Sequence, residues 1–127
     1  MSKFNILVVD DEADLAEIMA ETLEMEGFSA VQCLDGQKAL EVFDTQEFHC
    51  ILSDSNMPGL KGLELLEKLK EKSKPGESFL FYLCTGDIEF NEAELKDLGI
   101  KRLLLKPYDL FSVIELVQND LNEHFKG

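Results

Sequence analysis

Four short apolar runs in this chain each end in a residue that can do chemistry. VVDDE ends in Asp10 and Asp11, ILSDSN in Asp54, LCTGD in Thr85 and LLLKPY in Lys106. Three carboxylates drawn close together repel one another, and burying them unpaired costs several kcal/mol each. A hard divalent cation removes that cost. Mg²⁺ prefers oxygen ligands, retains water, and binds one or two carboxylates plus a phosphate. Three carboxylates, one such cation and the Lys106 ammonium sum to zero formal charge. Asp54 differs from the other two acids because it opens a loop carrying Gly59 and Gly62. A carboxylate held there can attack phosphorus. Lys106 and the Thr85 hydroxyl would then meet the phosphoryl oxygens.

Each residue also has a plainer reading. Asp10 and Asp11 suit a helix N-cap, Asp54 suits a turn, Thr85 before Gly86 suits a turn hydroxyl, and Lys106 suits a solvated strand end. The four together matter more than any one, and their weight depends on the elements that carry them.

Those elements alternate from end to end. Phe4–Val9, Ser29–Leu34, Phe48–Ser53, Phe79–Cys84 and Lys101–Leu105 read as strands, apolar nearly throughout and therefore covered on both faces. Helical spacing follows each one. It shows at Leu15, Ile18, Met19, Thr22 and Leu23, closed by Gly27, and at Ala39, Leu40 and Phe43 after Asp35-Gly36. A third helix spans Gly62 to Lys72 and is broken at Lys74-Pro75-Gly76. Asn91 with Glu94 three residues on opens a fourth, stopped by Gly99. Leu110, Val113, Ile114, Val117 and Leu121 stripe the last. Five strand–helix pairs predict an α/β fold, a doubly wound five-stranded parallel sheet of order 2-1-3-4-5. Ligands in such sheets sit at the carboxyl ends of the strands near the switch point. That order makes strands one and three neighbours and leaves strand two, ending in Leu34, Asp35 and Gly36, outside the cluster.

Composition narrows the function classes. The 127 residues carry a net charge of −14, with 12 Lys and Arg against 26 Asp and Glu. This suits one domain and opposes direct nucleic-acid binding or adsorption to anionic lipid. A 45% apolar fraction is too high for a disordered acidic tail. Apolar runs are too short for a membrane span or a signal peptide, so a cytoplasmic location is expected. Cys33, Cys50 and Cys84 lie in apolar runs without metal-ligand spacing and read as buried thiols. The acidic surplus on the helices, at Glu12, Glu17, Glu21, Glu24 and Glu26 for example, reads as solvated surface that could steer a basic partner.

ILVVDDE, ILSDSNMPG, LCTGD and LLLKPY together resemble the receiver domain of bacterial two-component response regulators, from Phe4 to about Phe125. The resemblance implies a flavodoxin-like (βα)5 fold filled by a single receiver domain over residues 1–127, with too few residues after Phe125 for an output domain, so the domain acts alone or as a fragment of something larger. It implies that Asp54 accepts a phosphoryl group from a phosphohistidine on a sensor histidine kinase or histidine phosphotransfer protein. Asp11 would bind Mg²⁺ (or another divalent cation such as Mn²⁺) directly, Asp10 largely through water, and Asn56 through its backbone carbonyl. Thr85 and Lys106 would hold the phosphoryl oxygens, with a cis bond between Lys106 and Pro107. A switch through Thr85 and position 103 would then alter the face formed by Phe90 to Asp97, Lys101 to Leu103 and Tyr108 to Val117, where a downstream protein binds. The chain would be a monomer or a weak phosphorylation-dependent dimer, a signalling domain rather than an enzyme.

Several positions depart from the family's habit. Leu103 stands where Tyr or Phe is common, Ser55 where an apolar residue is usual, and Lys61 where the loop more often carries an acid. A solvated lysine is the plainer reading of Lys61. Asn56 and Asp87, each two residues past a site residue, occupy positions that tune dephosphorylation in the family. The rivals are weaker. A phosphatase of the haloacid dehalogenase type needs a DxD nucleophile after strand one, whereas Asp10-Asp11-Glu12 is not one. A flavin-binding module needs hydroxyls and amides there to receive a phosphate. A receiver-like module that only binds partners has no need of the full acidic set.

Overall fold

A computed structural model describes residues 4–74, 78–86 and 91–125. Strands β1 (Asn5–Val9), β2 (Ser29–Cys33), β3 (Cys50–Asp54), β4 (Leu80–Thr85) and β5 (Arg102–Leu105) form one sheet in the order β2-β1-β3-β4-β5. All four pairings are parallel. Helices α1 (Ala13–Met25), α2 (Gly36–Phe43), α3 (Gly62–Lys72), α4 (Glu92–Asp97) and α5 (Leu110–His124) connect or follow the strands. This is the expected doubly wound fold.

The period of two along each strand sorts its side chains between two cores. Ile6, Val8, Cys50, Leu52, Tyr82, Cys84 and Leu104 pack under α1 and α5. Leu7, Val9, Ile51, Phe81 and Leu83 pack under α2, α3 and α4 with Ala39, Leu65, Leu69 and Leu95. Both faces are thus buried, the physical reason the strands read as continuous apolar runs.

The helix starts follow local chemistry. Asp35 caps α2 by accepting the Lys38 N–H at 2.7 Å. Asn91 caps α4 by accepting the N–H groups of Ala93 and Glu94. Neither Asp10 nor Asp11 is the N-cap of α1. That position belongs to Glu12, whose side chain makes no capping bond. Strand boundaries are displaced from the sequence reading. β3 begins at Cys50 rather than Phe48 and extends to Asp54, and β4 begins at Leu80 and extends to Thr85. Both site residues are therefore the last rungs of their strands, fixed by the ladder. The breaker at Pro75-Gly76 lies outside the described residues. None of the helices, within the described residues, is long and apolar enough to cross a membrane.

Candidate functional site

The same alternation decides which strand-end groups meet. Asp10 continues the face of Ile6 and Val8, Asp54 that of Cys50 and Leu52, and Lys106 that of Arg102 and Leu104. All three side chains belong to the α1/α5 side of the sheet, and they converge. Lys106 Nζ lies 3.1 Å from Asp10 Oδ2 and 3.5 Å from Asp54 Oδ1. Thr85 and Leu103 fall on the opposite face, with Leu103 packed at the edge of the α2/α3/α4 core.

Asp10 and Asp54 are buried and Asp11 is exposed. Carboxylate oxygens of Asp10, Asp11 and Asp54 all lie within 4.8 Å of one another. An all-oxygen donor set of this charge, with one ammonium against three carboxylates, fits a hard divalent cation. The cleft above them is also lined by Glu12, Ser55, Asn56, Lys61, Thr85, Gly86 and Lys106.

Backbone bonds hold these groups in place. Asp10 N donates to Cys33 O, Ser55 N to Cys84 O, and Lys106 N to Thr85 O at 2.7 Å. Asp10 Oδ1 accepts the Glu12 N–H at 3.0 Å, so part of the plainer reading survives: Asp10 orders the turn into α1 as well as facing the cleft. The Lys106–Pro107 bond is cis. Gly62 permits the approach of α3. A Cβ there would stand 2.7 Å from the Asp54 carbonyl oxygen and from Leu83 Cδ1. Gly59 turns the same loop at a φ of +80°, a region that favours glycine.

The electrostatics reflect crowding. Burial pushes the Asp54 carboxyl above the ordinary carboxylate range. Lys106 opposes the shift, Asp10 adds to it, and the Asn56 backbone N–H opposes it. For Lys106, burial acts downward, but its hydrogen bond to Asp10 and the charges of Asp10 and Asp54 outweigh it and raise the ammonium. Burial lifts the Cys84 thiol beside this site to about 12, consistent with an inert core residue.

Asp11, Asp54, Asn56, Thr85 and Lys106 line this cleft and Asp10 lies buried beneath it, whereas Pro107 lines the adjacent hollow with Leu15 and Tyr108, and Leu103 packs one strand-face away. Asp87 and Phe90 lie outside the described residues. Glu12 adds to the sequence reading. Glu12 is exposed, as the sequence reading has it, but it is the N-cap position rather than part of α1 and it also lines the cleft, with Oε1 4.0 Å from Lys106 Nζ. Its position two residues past Asp10, before any helical turn forms, was the available signal.

Comparison with known proteins agrees with this fold. A sequence model described as the response regulator receiver domain matches residues 6–118. The chain is similar to the transcriptional regulatory protein FixJ of Bradyrhizobium diazoefficiens, 29% identical over 123 residues, covering 96% of this chain and 58% of the relative. A CheY-like receiver domain protein from Methanospirillum hungatei superposes with a TM-score of 0.87 at 26% identity, covering 98% of each chain. TrrA of Thermotoga maritima, solved in complex with Mg²⁺ and BeF, has a TM-score of 0.77 at 27% identity, covering 91% of this chain and 97% of its own. The chain spans about three-fifths or less of the length of the curated relatives it matches.

Proposed function

This chain belongs to the response regulator receiver family of two-component signalling, and on that premise we propose that Asp54 is its phosphoacceptor. The observation that carries the proposal is the convergence of Lys106 on both Asp10 and Asp54 in an acidic cleft. An Asp54 oxygen attacks the phosphorus of a phosphohistidine on a sensor kinase or histidine phosphotransfer protein. A P–O bond forms, the N–P bond breaks, and the imidazole leaves with the electron pair. Lys106 and the Thr85 hydroxyl hold the phosphoryl oxygens as charge shifts onto them. Asp10, Asp11, Asp54 and the Asn56 carbonyl are the groups that would hold Mg²⁺ or Mn²⁺. Such an ion, when bound, offsets the carboxylate charge and offers a ligand site to a phosphoryl oxygen.

The acyl phosphate adds charge and acceptors at one point. Thr85 moves toward it, and Leu103, on the same face of the sheet, repacks in the space left. The α4–β5–α5 face then changes its affinity for a downstream protein. Exposed Leu98, Leu105 and Phe111 supply apolar contacts along that side. Residues 1–127 act as one such domain, in the cytoplasm, as a monomer or weak dimer, and as a signalling module rather than an enzyme with a diffusible product.

Intact mass after treatment with Mg²⁺ and acetyl phosphate tests the acceptor. The parent should gain one phosphoryl group and Asp54→Ala none; equal gain in both would move the acceptor elsewhere.

A further inference from the structure

Resting on the phosphoacceptor reading of Asp54, we propose that Lys61 is a donor-receiving lysine: it engages the outer oxygens of the incoming phosphoryl dianion at the cleft mouth. Lys61 lines the same cleft as Asp54, Thr85 and Lys106. It is anchored there rather than carried by a loose loop. Its own N–H donates to Glu64 Oε1 at 3.0 Å, and the next residue, Gly62, donates to Ser55 O at 3.1 Å. Gly62 also packs so closely against the Asp54 carbonyl that no Cβ fits. The backbone bearing Lys61 is thereby tied to the strand end that carries the acceptor.

Charge gives this lysine a task. Lys106 is already engaged by Asp10, Asp54 and Glu12. Lys61 lines the cleft and, among the described residues, has no carboxylate within 4.0 Å. With a divalent cation bound, Asp10, Asp11, Asp54 and Glu12 are balanced by that ion and by Lys106 and Lys61 together. Without Lys61 the cleft keeps a net negative charge, on a chain that already carries −14. A phosphoryl dianion approaching it would be repelled. The shared chemistry is the dianion itself, whether a small acyl phosphate or a phosphohistidine carries it. In the first case an Asp54 oxygen displaces acetate, which leaves with the P–O electron pair; in the second it displaces the imidazole.

Rates of Asp54 modification with acetyl phosphate and with phosphoimidazole, in saturating Mg²⁺ and low salt, test the proposal. Lys61→Met should lose roughly threefold to tenfold in kcat/KM, mainly through KM, as expected for one near-surface charge. Lys61→Arg should restore the rate. Lys68→Met, the same charge loss on the exposed face of α3, should match the parent. High salt should erase the Lys61→Met defect, since ~1 M salt screens beyond about 3 Å. A defect with one donor alone supports the role and identifies the source that Lys61 receives. Rates for Lys61→Met equal to the parent with both donors would overturn the proposal while leaving Asp54 as acceptor. No adduct on the parent would overturn both readings, and so the two failures are distinct.

Discussion

Two polar clusters lie at opposite ends of the sheet, one built on a single carboxylate and the other on three, and they solve opposite problems. Toward the amino ends of β4 and β5, Asp120 of α5 is buried against Tyr82 and Arg102. The Tyr82 hydroxyl donates to Asp120 Oδ2 at 2.7 Å, and Arg102 donates from Nε and Nη2 to the two carboxylate oxygens at 2.8 and 2.9 Å. Burial acts to raise the Asp120 carboxyl. The Arg102 and Tyr82 hydrogen bonds and the Arg102 charge outweigh it and hold the group below the ordinary carboxylate range. At the carboxyl ends, Asp10, Asp11 and Asp54 share one ammonium, and Asp54 is raised instead. One cluster is saturated by the chain's own donors and fastens α5 to the sheet. The other is left short of positive charge, a state that costs stability and leaves room for a ligand.

The contrast has ordered consequences. Asp120→Ala should be the most damaging change, because it strands a buried tyrosine hydroxyl and a guanidinium at once. Urea unfolding should show a loss of about 3–4 kcal/mol, while Asp54 is still phosphorylated under native conditions. A loss below about 1 kcal/mol would mean the network is screened like a surface pair. Mg²⁺ acts on the other cluster. At about a hundredfold over Kd it should stabilise the parent by about 2.7 kcal/mol in the same titration, and Asp11→Ala should remove most of that gain. Equal Mg²⁺ stabilisation of the parent and Asp11→Ala would break the assignment of the acidic cluster.

Smaller effects have opposite signs at the two ends. Asp54→Asn should raise metal-free stability at neutral pH by about 1 kcal/mol, since it removes one charge from a crowded, partly desolvated set. Destabilisation would show that Asp54 is a structural carboxylate. The pH profile sharpens the same point. Asp120, lowered in the folded state, contributes stability that is present above its unfolded value near ~4 and lost as pH falls through its lower folded value. Asp54, raised in the folded state, contributes stability present below that unfolded value and lost as pH rises through its folded value. Stability between about pH 5 and pH 3 should therefore fall less steeply in Asp120→Asn than in the parent. It should fall more steeply in Asp54→Asn, which lacks the opposing contribution.

The two clusters also differ in how far they could be read from sequence. The strand-end set was visible because each member closes an apolar run, and a parallel sheet of order 2-1-3-4-5 gathers those ends by topology alone. The period of two even assigns Asp10, Asp54 and Lys106 to one face. The Asp120 network offers no such signal. Its members are 38 and 18 residues apart, and each looks ordinary: a tyrosine in a core strand, an arginine at a strand start, an aspartate on a late helical turn. Only the docking of α5 brings them together. The place of Glu12 at the cleft was hidden for a related reason. A run of acids at the start of a helix resembles solvated surface until the turn out of β1 points one of them back over the cleft. Strand ends were misjudged by a residue or two, because Asp54 and Thr85 are polar residues that ladder bonds nonetheless include in the sheet.

The central claim is that Asp54, in the under-neutralised cluster, takes the phosphoryl group. Peptide mapping after borohydride reduction of the protein treated with acetyl phosphate and Mg²⁺ tests it most directly, because hydride converts an aspartyl phosphate to homoserine. The account predicts homoserine at position 54 alone, dependent on Mg²⁺ and absent from Lys106→Ala or strongly reduced in it. Homoserine at position 10 or 11, or an Asp54 left intact in a phosphorylated protein, would contradict it.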